Sequence, residues 1–232
     1  MSADEPPVVT SRMVAIGGAL VAGMALASLW AYGQLPPDAA VPIHWNAAGD
    51  VDRYAGRLAG LFTTVAVAAA AAALLMVIPH IEPRRRNLQR SAGAYRMAYY
   101  ATLGLLVVVH ASVVAAALGH GVDPTRVIAA GAGVLLIVIG NWLPKVRSNF
   151  LFGVRTPWTL ASDYTWRRTH RAAGRAMVVL GLLLVVSALV TGGVGAPALA
   201  IAAAVFTVGV FGYSYLVWRS APDRDQDRRA TG

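Results

Sequence analysis

The side chains best suited to chemistry in this chain lie in a polar segment, residues 144–174, which follows an apolar stretch. His170 comes four residues after Trp166, so the two side chains share a face if this part of the segment is helical. Arg155 and Arg171 suit a carboxylate or phosphate ligand, because a guanidinium group presents paired hydrogen-bond donors. The candidate binding residues are Asn141, near the end of the preceding helix, and, within the segment, Lys145, Arg147, Asn149, Arg155, Thr156, Trp158, Thr159, Trp166, Thr169, His170 and Arg171.

Three interpretations of this segment compete. It attracts anionic lipid head groups, it folds back between helices to line a polar cavity, or its polar groups bond to one another and serve the fold. Lipid attraction depends on charge and needs no particular mixture of Asn, Thr and Trp, so the mixture predicts a specific hydrogen-bonded structure. Pro144 ends the preceding helix, and Thr159 or Ser162 is predicted to cap the helix that carries His170.

A second polar loop, residues 36–57, contains His44, Asn46, Asp50 and Asp52, which a turn brings together. We consider a divalent-metal site, acid–base chemistry by the histidine with an aspartate, and a structural loop. The spacing matches no strong metal motif, and no nucleophile or cofactor motif accompanies it. The alternation of apolar and polar residues before the turn favours a structural strand lying across the helix ends, with ligand recognition by these four residues left open.

The elements that position both loops are predicted to be membrane-spanning helices. Of the 232 residues, 57% are hydrophobic and only 13% are charged, and the mean hydropathy is +0.57. A soluble domain of this length needs far more charge to cover its surface. A spanning helix needs about 20 apolar residues, and six stretches approach that length. They are Met13–Leu35, Leu58–Pro79, Tyr95–Leu118, Val127–Leu143, Arg175–Thr191 and Pro197–Trp218.

Basic residues orient this six-helix bundle. If the N-terminus lies in the cytoplasm, all of the 20 Lys and Arg residues except Arg53, Arg57 and Arg126 fall on the cytoplasmic side. We therefore predict an all-α integral membrane protein with both termini inside, an outer loop at 36–57 and an inner loop at 144–174. The net charge of +9 then reflects this bias, and direct nucleic-acid binding is not predicted.

Two further features concern helix packing. His110 lies inside the third apolar stretch, and we predict that it hydrogen-bonds between helices. Small residues recur every four positions at Ala19, Gly23 and Ala27, and again at Ala129 and Gly133, which predicts close packing within the molecule.

The chain contains no cysteine, which excludes disulfides and thiolate chemistry. No cofactor or metal site is predicted, and the charged residues 219–232 are predicted to form a disordered tail.

The polar motif as a whole resembles the SdpI family of bacterial membrane proteins. The outer Pro-Ile-His-Trp-Asn sequence, residues 42–46, is similar to a small domain of unknown function that often precedes that family's motif. The resemblance implies an N-terminal helix pair with its outer loop at 1–79, a connecting basic loop and central helices at 80–134, an SdpI-like domain at 135–218, and the tail. The matching residues are Gly140-Asn141-x-Leu143-Pro144-Lys145, Asn149, Gly153-x-Arg155-Thr156-Pro157-Trp158-Thr159-Leu160, Trp166-x-x-Thr169-His170-Arg171 and Gly174.

This resemblance implies a multi-pass protein of the bacterial cell membrane that gives immunity to a membrane-active peptide toxin and transmits a signal. Its implied partners are membrane lipids, a peptide toxin outside and a transcriptional repressor inside, and no enzymatic turnover is implied. The alternative is a transporter or membrane enzyme acting on a lipid or small anion, with His170 as acid or base. A deep polar cavity beside Arg155 and His170 would favour that alternative. The oligomeric state is left open.

Overall fold

The computed structural model describes residues 7–46, 50–192 and 195–223. Eight α-helices and one β-hairpin follow one another along this part of the chain. Two short 3₁₀ turns, Ile78–Ile81 and Leu143–Lys145, extend the ends of α2 and α5. The elements in order are α1 (Ser11–Gln34), β1 (Ala40–Trp45), β2 (Val51–Gly56), α2 (Arg57–Val77), α3 (Arg85–Arg90), α4 (Ala92–Ala117), α5 (Pro124–Trp142), α6 (Pro157–Ala161), α7 (Asp163–Thr191) and α8 (Ala196–Arg219).

Six of these helices, α1, α2, α4, α5, α7 and α8, are long and apolar enough to cross a membrane, as predicted. The largest difference from the predicted bounds lies in α7, which begins twelve residues before Arg175. Ser162 caps this helix, because its side chain accepts a hydrogen bond from the Thr165 amide at 3.0 Å. The polar residues 163–174 therefore form the first turns of a 29-residue spanning helix.

The loop at 36–57 is a β-hairpin, so the predicted strand is confirmed and the fold is not purely α-helical. β1 and β2 pair antiparallel, with irregular register around His44. Val41 is 1% exposed and fits against Gly60, where an added Cβ would approach its Cβ to 2.4 Å. Arg57 fixes the base of the hairpin, because its Nη1 donates to the Leu35 carbonyl at 2.9 Å and its guanidinium covers the Tyr32 ring. The turn residues 47–49 lie outside the described part of the chain.

α5 and α7 pack antiparallel through two glycine pairs. A Cβ at Gly133 would approach the Gly181 carbonyl oxygen to 2.7 Å, and a Cβ at Gly140 would approach the Gly174 carbonyl oxygen to 2.6 Å. The predicted close packing at Gly133 is therefore confirmed. The same prediction for the stripe on α1 is wrong at Gly23, which is exposed and where a Cβ would meet no atom within 4 Å.

His110 makes the predicted interhelical contact from α4. Its Nε2 lies 3.0 Å from the carbonyl oxygen of Met24 and 3.4 Å from the hydroxyl of Ser28, both on α1. Ser28 in turn donates to the Leu61 carbonyl of α2 at 2.9 Å. One buried polar chain therefore ties three spanning helices together, where hydrocarbon offers no competing partners.

Candidate functional sites at the two ends of the bundle

At one end of the bundle, Trp166 and His170 stack on successive turns of α7. Their ring centroids lie 4.0 Å apart with an interplanar angle of 20°. His170 Nδ1 lies 2.9 Å from the Trp166 carbonyl oxygen, an acceptor, and Nε2 receives the Val154 amide at 3.1 Å. These partners select the neutral tautomer with the proton on Nδ1 and occupy both ring nitrogens. The pair therefore braces the inner segment, and His170 has no nitrogen left for acid–base chemistry.

The short helix α6 is held by a threonine pair. Thr156 and Thr159 form a capping box, in which each side chain receives the other residue's backbone amide, at 3.2 and 2.9 Å. The Thr156 hydroxyl also lies 3.1 Å from that of Ser214 on α8. Trp158 projects from the same helix against Phe211 and Tyr215, with ring centroids at 4.8 and 5.0 Å. These contacts dock the inner segment on the last spanning helix.

Asn149 shapes the loop before α6 while fully buried. Its Oδ1 accepts the amides of Leu151 and Phe152, each at 2.9 Å, and its Nδ2 donates to the Arg147 carbonyl at 2.8 Å. An asparagine that bonds its own backbone in this way mimics a turn. The Asn149 side chain therefore stabilises this loop.

Glu82 and Arg84 also hold this loop, although the sequence did not single them out. Glu82 is 1% exposed, and its two carboxylate oxygens accept the Phe150 amide at 3.2 and 3.1 Å. Arg84 donates to the Ser148 hydroxyl and covers the Phe150 ring. The signal in the sequence is a solitary glutamate just before a run of arginines. A carboxylate is costly to bury unless it has hydrogen-bond partners, and here backbone amides supply them.

The remaining predicted residues at this end are one buried threonine and several exposed polar residues. Thr169 is fully buried, and its hydroxyl is without a hydrogen-bond partner among the described residues. Arg155 is exposed and donates to the Phe150 carbonyl, while the exposed Lys145 ammonium lies 3.8 Å from the Trp142 ring centroid. Asn141, Arg147 and Arg171 are also exposed.

Asp223 connects the C-terminal segment to the start of α7. Both carboxylate oxygens accept the Ser162 hydroxyl at 2.8 Å, and one accepts the Tyr164 amide at 3.2 Å. A carboxylate at a helix N-terminus is favoured by the exposed amides and the helix dipole. This part of the predicted tail therefore has a fixed contact, and residues 224–232 lie outside the described residues.

At the other end of the bundle, the four predicted hairpin residues form two separate pairs. His44 Nδ1 lies 2.6 Å from an Asp52 carboxylate oxygen, and both side chains are about half exposed. Asn46 Oδ1 accepts a hydrogen bond from the Asp50 amide at 3.0 Å, which links the two ends of the turn. Within residues 7–46, 50–192 and 195–223, no three His, Asp or Glu side chains gather as a metal site would require.

A chamber of about 410 Å³ lies beneath β1. α2, α4, α5, α7 and α8 form its walls. Its lining is mostly apolar and includes Val113, Ala132 and Leu184, and its polar groups include Thr64 and Thr125. This is the size and character of a ligand cavity, apolar with a few placed polar groups.

Comparisons with known proteins match two separate regions of the chain. Residues 145–216 match the SdpI/YfhL protein family, and residues 19–69 match a domain of unknown function, DUF1648. Immunity protein SdpI of Bacillus subtilis (strain 168) is 32% identical over 107 residues, which cover 46% of this chain and 52% of that protein. The chain thus spans about half the length of the curated relative it matches. No solved structure matches the chain significantly.

The predicted resemblance is confirmed by these matches. The inner segment, α6, α7 and most of α8 lie inside the first matched region, and the hairpin with most of α1 and half of α2 lies inside the second. The chain is therefore a multi-pass membrane protein that is similar to the SdpI/YfhL family over residues 145–216 and to a DUF1648 domain over residues 19–69.

Proposed function

We propose that this protein gives immunity to a membrane-active peptide toxin, which it meets at the hairpin end of the bundle. The Bacillus subtilis relative is named an immunity protein, and this name supports an immunity role. The distribution of basic residues supports an orientation with the hairpin outside and both termini in the cytoplasm. In that orientation the hairpin is the first part of the protein that a secreted peptide reaches.

The observation that carries this proposal is the position of the chamber. One wall comes from β1 and α2, inside the DUF1648 region, and the opposite wall comes from α7 and α8, inside the SdpI region. A ligand seated there touches both regions at once. A ligand that contacts both regions, and contacts them better in one arrangement than in another, shifts the protein toward the arrangement that it binds better.

At the inner end, we propose that exposed cations contact a cytoplasmic regulator or anionic lipid. Lys145, Arg147, Arg155 and Arg171 are all exposed, and none of them has an ion pair within the described residues. They belong to the inner segment and the first turns of α7, which the stacked Trp166 and His170 brace. A rigid, basic surface suits an acidic partner, because its charge attracts and its shape is already fixed. A transcriptional repressor held at the membrane is the partner that the family resemblance implies.

Catalysis or transport is a weaker proposal on this geometry. A deep polar cavity beside Arg155 and His170 would favour this alternative, but the backbone packs against His170: a Cβ at Gly153 would approach His170 Nε2 to 2.4 Å. We propose a binding protein without turnover.

Expression in toxin-sensitive bacteria tests the immunity role. Cells carrying the full chain are challenged with a panel of secreted membrane-active peptides, and survival of at least one challenge that kills the empty-vector strain is expected. A variant with Arg57→Ala, which loses the hydrogen bonds and ring contact that hold the hairpin, is expected to lose protection while the protein still accumulates in the membrane. If every peptide kills the strain with the full chain and the empty-vector strain equally, the proposal is wrong.

A further inference from the structure

Arg12 of α1 and Arg96 of α4 line one cavity of about 490 Å³ at the end of the bundle opposite the hairpin. Thr10, Ile16 and Tyr100 complete its lining. Ile16 follows Arg12 by four residues, and Tyr100 follows Arg96 by four, so on each helix the cation lies one turn nearer the end of the bundle. The cavity is therefore cationic towards the end of the bundle and more apolar one turn deeper.

Neither guanidinium of this cavity has a carboxylate partner in the described part of the chain. Arg96 is held in place, because its Nε donates to the Val8 carbonyl at 3.1 Å and its Nη2 donates to the Pro7 carbonyl. Other N–H groups of that guanidinium remain available. Arg12 is exposed, and the first turn of α1 carries no acidic residue, so the positive end of the helix dipole adds to the same field. A phosphate, which accepts hydrogen bonds from guanidinium groups, suits this site.

The two helices stay side by side below the cations. Tyr99 Oη donates to the Met13 carbonyl at 3.2 Å, and His110 Nε2 lies 3.0 Å from the Met24 carbonyl oxygen, eleven residues farther along both helices. α1 and α4 therefore run parallel, with their N-termini at the same end of the bundle.

A second cavity, of about 420 Å³, lies between the same two helices and has a mostly apolar lining that includes Ala19, Gly23 and Val107. Arg12, Ile16, Ala19 and Gly23 follow one another at spacings of four, three and four residues, so they share a face of α1. Small residues keep this face low, since a Cβ at Gly23 would meet no atom within 4 Å. The α1–α4 furrow, as we call this face with the two cavities, therefore begins at the cations and continues as an apolar surface.

The length of the furrow matches one leaflet of a bilayer. Arg12 and Gly23 are eleven residues apart, which is about 16 Å at 1.5 Å per residue. Half of the hydrocarbon core measures about 15 Å. A phospholipid carries its phosphate and its acyl chains in this order, whereas a free phosphate would use only the cationic end. A second copy packed in parallel on this face would bring its own Arg12 against the two cations, and like charges oppose that contact.

We propose that one anionic phospholipid binds in the α1–α4 furrow, with its phosphate at Arg12 and Arg96 and an acyl chain along Ile16, Ala19 and Gly23. The site is separate from the exposed cations of the inner segment and from the chamber beneath β1, and it does not depend on the immunity role. A lipid that binds only the folded bundle stabilises it.

Native mass spectrometry of the full-length protein in detergent, titrated with dioleoyl phosphatidylglycerol, tests the cationic end. The dissociation constant of the tightest-bound lipid is expected to rise about fivefold in Arg12→Gln, which removes one cation near the membrane surface. Arg86→Gln is the matched control, because it removes an exposed cation that does not line the furrow. Dioleoyl phosphatidylcholine is expected to bind more weakly, since its ammonium group cancels the attraction. Equal binding by both arginine variants, or of both lipids, would overturn the site.

Gly23→Leu tests the apolar part of the furrow. The leucine side chain occupies the space above Gly23 and is expected to weaken phosphatidylglycerol binding about fivefold or more. Gly18→Leu is its control on the same helix, since a Cβ there also meets no atom within 4 Å and Gly18 does not line either cavity. Identical dissociation constants for the two leucine variants would overturn the acyl-chain position.

Two other occupants are distinguished in the same spectra. Inorganic phosphate at the lipid's concentration is expected to leave the lipid bound, and displacement by it would assign the cationic end to a free anion. A dimer that Gly23→Leu dissociates would assign the furrow to a second copy. Either result would overturn the lipid site.

Asp4 and Glu5 precede Arg12 in the sequence and lie outside the described residues. Asp4→Asn combined with Glu5→Gln removes negative charge from the segment before the cations. Phosphatidylglycerol is therefore expected to bind this variant as tightly as the wild type or more tightly, and weaker binding would contradict an anion site.

Discussion

Gly140 of α5 and Gly174 of α7 face each other so closely that each leaves no room for a methyl group on the other. A Cβ at Gly174 would approach the Gly140 carbonyl oxygen to 2.5 Å, and the reverse approach is 2.6 Å. The second pair, Gly133 and Gly181, repeats this contact seven residues along each helix. Close approach of two backbones strengthens dispersion contacts, which drive helix association where lipid is as apolar as the side chains. The family motif Gly-Asn at the end of α5 therefore begins with a packing residue.

Gly174→Ala is expected to lower the free energy of unfolding by about 1–3 kcal/mol, because the methyl group forces two backbones apart. The measurement is the thermal unfolding midpoint of the detergent-solubilised protein. Gly209→Ala is the matched control on α8, since a Cβ there meets no atom within 4 Å. That variant is expected to be neutral or slightly more stable, as alanine favours helix by about 0.5–1 kcal/mol. Equal midpoints for both variants would contradict the close contact.

Glu82→Ala is expected to destabilise the inner end by about 1–3 kcal/mol, because the amide of Phe150 loses its acceptor in this partly buried loop. Glu82→Gln keeps one acceptor oxygen and is expected to lose less. The thermal midpoint gives the ranking, with wild type highest and alanine lowest. Limited proteolysis of the 146–156 loop gives an independent reading, since a loosened loop is cut faster. If the glutamine and alanine variants behave alike, the carboxylate oxygen does not hold the loop.

Ala132→Phe is expected to remove protection against a toxin that the wild-type protein resists, because the ring fills the chamber beneath β1. The minimal inhibitory concentration is expected to fall by about tenfold or more, as for a toxin whose dissociation constant rises by about that factor. Val134→Phe is the control on the same helix, since Val134 is 52% exposed on the outer surface of the bundle. Membrane levels of both proteins are compared by immunoblot. Retained protection in Ala132→Phe would place the toxin elsewhere.

The orientation in the membrane is tested with single cysteines in intact cells. Asp38→Cys on the outer loop is expected to react with a membrane-impermeant maleimide, whereas Arg86→Cys after α2 is expected to react only once the cells are opened. Both side chains are exposed, so the difference reports the membrane and not burial. The expectation follows from the cluster of basic residues on one side. The opposite labelling pattern would invert the whole assignment of outer and inner sites.

Run length and charge, read from the sequence, were sufficient to predict six spanning helices, because a hydrocarbon layer imposes both requirements on any chain that crosses it. The alternation at residues 41–45 likewise predicted a strand, and the spacing of Trp166 and His170 predicted their shared face. The SdpI-like motif was recognisable because its residues are contiguous. Each of these properties depends on neighbours along the chain.

Contacts between distant segments were decided only by the tertiary structure. The sequence placed Thr156, Trp166 and His170 among candidate ligand-binding residues, and the structure shows them bonded to the protein itself. Glu82 was not singled out and Asp223 fell in the predicted disordered tail, yet their carboxylates accept hydrogen bonds from the Phe150 amide, the Ser162 hydroxyl and the Tyr164 amide. The chamber joins β1 to helices more than eighty residues later in the chain. A local pattern carries no signal for such contacts, since a backbone amide or a cavity wall is the same in every sequence until the fold brings it beside its partner.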